Sequence, residues 1–230
     1  MKICAVIVAA GNSTRMQSGG ASKLLMEVNG EPVLRRTLRA FDEAGCISEI
    51  VVVTRPVDFE DVRKAAEGIA KPIRITEGGK ERQDSVANGV ALVKDADLIA
   101  VHDGARPMIT PALIEKVCAD GAKYGAATLA VPVKDTVKEA DSEEFVHATP
   151  DRSKLRAIQT PQVFSLPLYK EALEKAAAEG KQYTDDCQLI ENAGGRVYLT
   201  MGDYRNIKIT TPEDIAVAEA FYAQRKETAK

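Results

Sequence analysis

The chain has 230 residues, with 31 Lys and Arg against 34 Asp and Glu, a formal net charge of −3. That balance excludes broad electrostatic capture of nucleic acid, and 45% apolar with 28% charged residues is the composition of a globular protein rather than a disordered or fibrous one. There is no Trp for a nucleobase-stacking platform, the two histidines (His102, His147) are too few for a multi-His metal site, and the four widely spaced cysteines contain no C-x-x-C pair.

In chain order, short Val/Ile-rich runs alternate with amphipathic segments. Strands are expected at residues 3–9, 50–54, 73–76, 98–101 and 127–133, and helices at 33–44, 59–69 and 84–93. A further helix opens near Thr110-Pro111, with Thr110 as N-cap and Pro111 at the first helical position. Continuous apolar strands separated by helices predict an α/β domain with a mostly parallel sheet covered on both faces. No internal repeat or linker divides the chain, so residues 1–230 read as one domain.

From residue 134 to 156 the character changes: nearly half the residues are charged, and Val137, Phe145, Val146 and Leu155 are too few to build a core element. Two short strand-like stretches around residues 141–144 suggest a projecting β-hairpin, which is marginal alone and is expected to dock on another subunit; the alternative is a solvated surface loop. Helices follow near 167–178 and 185–193, strands at 197–200 and 207–210, and a last helix from Pro212 with Thr211 as its cap.

The chemistry is expected where strands end. In an open α/β sheet, ligands bind outside the carboxyl ends of the strands. The first strand runs into Ala9-Ala10-Gly11-Asn12-Ser13-Thr14-Arg15, with Lys23 beyond. Small residues there let backbone N–H groups approach a phosphate, and two cations favour polyphosphate over an ordinary turn. Neither G-x-G-x-x-G nor a Walker-type loop occurs, because Gly79-Lys80 is followed by Glu81. Strand four ends in His102-Asp103-Gly104-Ala105-Arg106-Pro107. Asp103 is a candidate Mg²⁺ ligand and Arg106 a candidate phosphate partner, though a turn-capping Asp with a surface Arg is equally common. His102 points away from Asp103 and reads as a packed strand-end residue. Gly78-Gly79 before a helix, with Ser85 in its first turn, can contact a base or ribose or form a plain turn.

Taken together, these segments resemble the 2-C-methyl-D-erythritol 4-phosphate cytidylyltransferase family. The match runs over nearly the whole chain and also includes Pro132-Val133-Lys134-Asp135-Thr136, Asp151-Arg152, Gln159-Thr160-Pro161-Gln162, Thr184-Asp185-Asp186 and Asn206-Ile207-Lys208-Ile209-Thr210. The resemblance implies a Rossmann-like nucleotidyltransferase fold, a homodimer joined through residues 134–156, CTP and methylerythritol 4-phosphate as substrates, and Mg²⁺. It implies that Arg15 and Lys23 are catalytic and that Ala9, Ala10, Gly11, Gly78, Gly79 and Ser85 bind the nucleotide. Asp103 would lie beside the nucleotide and the metal. Arg106, Thr160, Thr184 and Lys208 would bind the sugar phosphate, completed by the partner subunit's Thr136 and Arg152. Gly104 stands where the family often has Ala, and Arg156 where an aromatic is usual. The competing readings are a ribitol-5-phosphate cytidylyltransferase, which usually carries Val at the position of Ala105, and a non-catalytic nucleotide-binding regulator. The apolar start of the chain has the look of a weak leader, but the loop after it suits a functional turn better, so the chain reads as cytoplasmic, with neither nucleic acid nor membrane as partner.

Overall fold

A computed structural model describes residues 1–11 and 23–228. Its centre is a seven-stranded sheet. Strands β1 (Ile3–Ala9), β4 (Glu49–Thr54), β5 (Ile73–Glu77) and β6 (Leu98–Asp103) run parallel, as do β7 (Ala126–Pro132) and β11 (Tyr198–Met201). Between these two groups lies β10 (Arg156–Ser165), antiparallel to both β6 and β7, so the order is β11-β7-β10-β6-β1-β4-β5. A small ladder of β2 (Glu27–Val28) with β3 (Glu31–Pro32) sits apart.

The expected two-sided burial follows from strand alternation. Ile3, Ala5 and Ile7 of β1 point to one face and pack with helices α1 (Val33–Glu43) and α4 (Pro111–Tyr124), together with Val62 of α2 (Phe59–Ala65) and Ala218 of α7 (Glu213–Thr228). Cys4 and Val6 point to the other face, under α3 (Arg82–Ala91), α5 (Leu166–Glu179) and α6 (Asp186–Asn192). Each fully buried Val, Leu or Ile in these layers contributes about 1.5–3 kcal/mol. Thr110 caps α4 as its sequence predicts, accepting from the Leu113 N–H at 3.3 Å, and Gly125 ends that helix in the left-handed region at φ 82°. Cys4, Cys118 and Cys187 are buried and Cys46 half-buried, all as free thiols.

Two expectations fail. Residues 207–210 form no strand and join no ladder; the Ile209 N–H reaches the carbonyl of Ala105 at 2.8 Å. Conversely, β10 is absent from the sequence reading, because Pro161 and the polar Gln159, Thr160 and Gln162 look like loop. The sheet accommodates the proline at a break in register between Ile158 and Gln162, and the three polar side chains are buried with tertiary partners. The ladder of β8 (Glu139–Ala140) and β9 (Val146–Ala148) forms within residues 134–156, with Glu139, Ala140, Phe145 and Val146 exposed. Among the described residues no helix is long and apolar enough to cross a membrane.

Candidate active site

The carboxyl ends of β1, β4, β5 and β6 open on one cavity of about 430 Å³. Ala9, Ala10 and Gly11 line it from β1, and Gly78 and Gly79 from the turn after β5. A Cβ at Gly78 would lie 2.3 Å from Ala10 Cβ, and one at Gly79 would lie 2.3 Å from Asp84 Cβ. Gly78 therefore has to be glycine for the turn after β5 to meet Ala10, and Gly79 for that turn to fold against the start of α3. Ser85 lines it as well, but its hydroxyl accepts from the Gly79 N–H and donates to the Glu81 carbonyl, both at 3.0 Å. Glu81 and Asp84 close a capping box at the start of α3, each side chain accepting the other's backbone N–H.

Asp103, the last residue of β6, is buried at the cavity floor and surrounded by cations. Lys208 Nζ lies 2.9 Å from Oδ2, Arg106 Nε 3.6 Å from Oδ2, and Arg82 Nε 3.5 Å from Oδ1. Burial by itself opposes ionisation, but Lys208, Arg82 and Arg106 outweigh it and hold the carboxyl well below the ordinary range. Arg82 is shared. Its Nη1 donates to Asp186 Oδ2 at 2.7 Å, and Asp186 also accepts from Tyr169 Oη at 2.5 Å. Arg106 donates from Nη1 to the Asn206 carbonyl at 2.8 Å, while its buried Nε has no hydrogen-bond partner among the described residues. Behind the floor His102 is fully buried, and burial pushes its pKa down to about 3, so the ring is neutral.

Of the residues singled out from sequence, Ala9, Ala10, Gly11, Gly78, Gly79, Ser85, Asp103 and Lys208 line the cavity, and Arg106 adjoins it through Asp103. Thr160 is buried beneath it, its Oγ1 accepting from the Asp103 N–H at 3.1 Å. Thr184 is exposed, bonded to Gln188 Oε1, and lines a separate groove with Ile158 and Leu199. Thr136 and Arg152 are also exposed and line no part of the cavity; Arg152 Nη1 donates to the Lys134 carbonyl at 2.6 Å. Arg15 lies outside the described residues, as does the side chain of Lys23. At Gly104, a Cβ would lie 3.2 Å from the Val8 carbonyl, a tight but small intrusion, and Arg156 caps the Ser153 and Leu155 carbonyls.

Arg55 and Glu77, which the sequence did not single out, also line the cavity, as does Arg82, which belongs to the family-like segment Gly78-Gly79…Arg82…Asp84-Ser85 but had no role assigned from sequence. Arg55 follows β4 directly, Glu77 ends β5, and Arg82 opens α3. The strand-end rule, applied to β4 and β5 as well as to β1 and β6, points to the first two.

As a metal centre the site offers the Asp103 carboxylate at its floor, with Glu77 and Glu81 elsewhere on the lining. Among the described residues no cluster of three His, Cys, Asp or Glu could hold an ion. One carboxylate at the floor of a polyphosphate cavity fits Mg²⁺, which keeps waters and takes phosphate oxygens with one or two protein carboxylates. It does not fit a metal caged by protein alone.

A glycine-walled cavity at the strand ends of a mostly parallel sheet, floored by an acid among three cations, defines an α/β protein built to bind a polyanionic nucleotide. A family model described as 2-C-methyl-D-erythritol 4-phosphate cytidylyltransferase matches residues 3–224, and the chain belongs to that family. A relative of that name from Caldanaerobacter subterraneus is 48% identical over 228 residues, covering 96% of this chain and 99% of its own length. One from Geobacillus thermodenitrificans is 43% identical, covering 96% and 97%. Among solved structures, 4-diphosphocytidyl-2C-methyl-D-erythritol synthase from Anaerococcus prevotii superposes with a TM-score of 0.86 at 35% identity, covering 96% of this chain and 98% of that one. The cytidylyltransferase from Thermus thermophilus gives 0.78 at 32%, covering 96% and 98%.

Proposed function

We infer that the chain transfers the cytidylyl group of CTP to 2-C-methyl-D-erythritol 4-phosphate, giving CDP-methylerythritol and pyrophosphate. The observation that carries this reading is the set of cations from three distant parts of the chain, Arg82, Arg106 and Lys208, gathered around Asp103 at the floor of the glycine-walled cavity. Both reactants are anions, so the main task is to neutralise and align them. A monoester oxygen of the sugar phosphate attacks the α-phosphorus and pyrophosphate leaves in line. The attacking phosphate is already ionised near pH 7, its second pKa being about 6, so no general base is needed.

In this reading the backbone around Ala9–Gly11 and Gly78–Gly79 holds the cytidine, and Arg15 and Lys23 meet the charge developing on the transferring phosphoryl group. Arg106 and Lys208 hold the sugar phosphate. Asp103 would hold a Mg²⁺ that neutralises triphosphate charge when bound. Residues 134–156 form the arm of a homodimer, with the partner subunit's Thr136 and Arg152 completing each pocket; their exposure and their distance from the cavity lining of their own chain support this. The enzyme works in the cytoplasm.

The test is pyrophosphate release from CTP with methylerythritol 4-phosphate and with ribitol 5-phosphate side by side. Ala105 is buried and lines the cavity, which leaves room that a Val would fill, and the first substrate is expected to be strongly preferred. Preference for ribitol 5-phosphate would overturn the substrate assignment, and CTP binding without turnover on either would favour the regulator.

A further inference from the structure

We propose that His102 is a positioning residue, whose ring fixes the turn carrying Asp103 and Arg106 against strand β10. The inference rests on reading the cavity as the cytidylyl-transfer site. Three contacts define the ring: Nδ1 lies 2.9 Å from Thr160 Oγ1, Nε2 lies 3.4 Å from the Arg106 carbonyl oxygen, and the face of Phe41 sits at 5.0 Å between centroids. The same Thr160 Oγ1 is 3.1 Å from the Asp103 backbone nitrogen.

The direction of each hydrogen bond is set from both ends, because a backbone N–H only donates and a carbonyl only accepts. Asp103 N–H therefore donates to Thr160 Oγ1, and His102 Nε2–H donates to the Arg106 carbonyl. The ring is fully buried, with a hydroxyl on one nitrogen and a carbonyl on the other and no carboxylate on either, so it carries one proton; that proton is on Nε2, and Nδ1 is left bare and accepts the Thr160 hydroxyl proton. The chain thus runs from Asp103 N–H through the Thr160 hydroxyl and the imidazole to the carbonyl of Arg106, with every member partnered. Of the two neutral tautomers, only the Nε2–H form satisfies it; the Nδ1–H form would set the Nε2 lone pair against the carbonyl.

The geometric consequence is a closed frame. The turn from Asp103 to Arg106 has its own bond, Arg106 N–H to the Asp103 carbonyl at 3.0 Å, and His102 ties that turn back to β10. Asn206 makes a second tie to the same place, donating from Nδ2 to the Thr160 carbonyl at 2.9 Å and accepting Arg106 Nη1 on its own carbonyl. Lys208 lies two residues beyond. Asp103, Arg106 and Lys208, three of the four charged groups of the floor, therefore stand on backbone braced at one residue of β10, and the ring of His102 is the brace on the β6 side.

Two measurements test this. In ¹⁵N-histidine-labelled wild-type protein at pH 7, the His102 ring, assigned by its loss in His102→Phe, is expected to show a slowly exchanging Nε2–H and an unprotonated Nδ1. His102→Phe keeps the packing on Phe41 and removes both hydrogen bonds. Below its melting temperature it is expected to lose about 10- to 100-fold in kcat/KM for the sugar phosphate, the scale of an ångström-level misplacement. His102→Gln, whose amide N–H can reach the Arg106 carbonyl, is expected to regain part of that loss. An Nδ1–H ring overturns the proposal, as do unchanged kcat and KM in both variants, which would mark a ring that only packs. Wild-type protein without cytidylyl transfer would overturn the functional reading instead, and the spectrum, which needs no turnover, would still decide the bonding of His102.

Discussion

Arg82 bridges two carboxylates, and its removal has a cost that the structure lets us work out. Asp186, whose side chain is only 2% exposed, keeps Tyr169 Oη as a donor when Arg82 is replaced by Met but loses the cation at 2.7 Å. Breaking a buried ion pair by removing one member costs about 3–5 kcal/mol. Because the Arg82 side chain is 27% exposed and Tyr169 remains, the lower end applies, about 3 kcal/mol. For a chain of this size each kcal/mol moves the melting temperature by about 2–4 °C, so Arg82→Met is expected to lower Tm by about 6–12 °C in differential scanning calorimetry. Since the damage is an uncompensated buried charge, the second substitution Asp186→Asn in the same chain is expected to recover at least half of that loss. Asp103 retains Lys208 and Arg106, so the floor keeps its charge balance in part. A single variant melting within about 2 °C of wild type, or a double variant no more stable than the single one, would refute the reasoning.

Gly78→Ala places a methyl group 2.3 Å from Ala10 Cβ and 3.1 Å from Ser85 Oγ, forcing apart the loops that wall the cavity. An unchanged circular dichroism spectrum with a fall of about 10- to 100-fold in kcat/KM for CTP is expected in steady-state kinetics. Arg15→Ala and Lys23→Ala are each expected to lower kcat by roughly 100-fold with little change in Tm, and a near-normal kcat would remove that residue from the mechanism. Mixing Arg152→Ala with Lys23→Ala subunits tests the shared site: arms that reach across leave one intact site per heterodimer and restore about half the wild-type activity, whereas a verified heterodimer without recovery denies Arg152 that role.

The order of strands and helices was legible in the residues themselves, because a strand buried on both faces must be apolar throughout and a covering helix must be apolar on one side. Runs such as residues 3–9 and 50–54 satisfy the first condition, and Thr110-Pro111 marks the start of a helix by local chemistry alone. The loops after β1, β5 and β6 were legible for a similar reason, since ligand sites in such sheets follow from where strands end. Tertiary structure decided what no local pattern contains. Strand β10 enters the sheet antiparallel although Pro161 and three polar neighbours argue against a strand, because Gln159, Thr160 and Gln162 find partners in Asp203, His102 and Asp185 far along the chain. Residues 207–210 have strand-like composition but meet no ladder, and serve to carry Lys208 to the floor. Asp103 is flanked in sequence only by Arg106; that Arg82 and Lys208 also reach it is set by the packing of α3 and the C-terminal segment over the sheet. Composition can state how much charge a chain carries, but only the fold, by burying one carboxylate among three cations, determines where that charge acts.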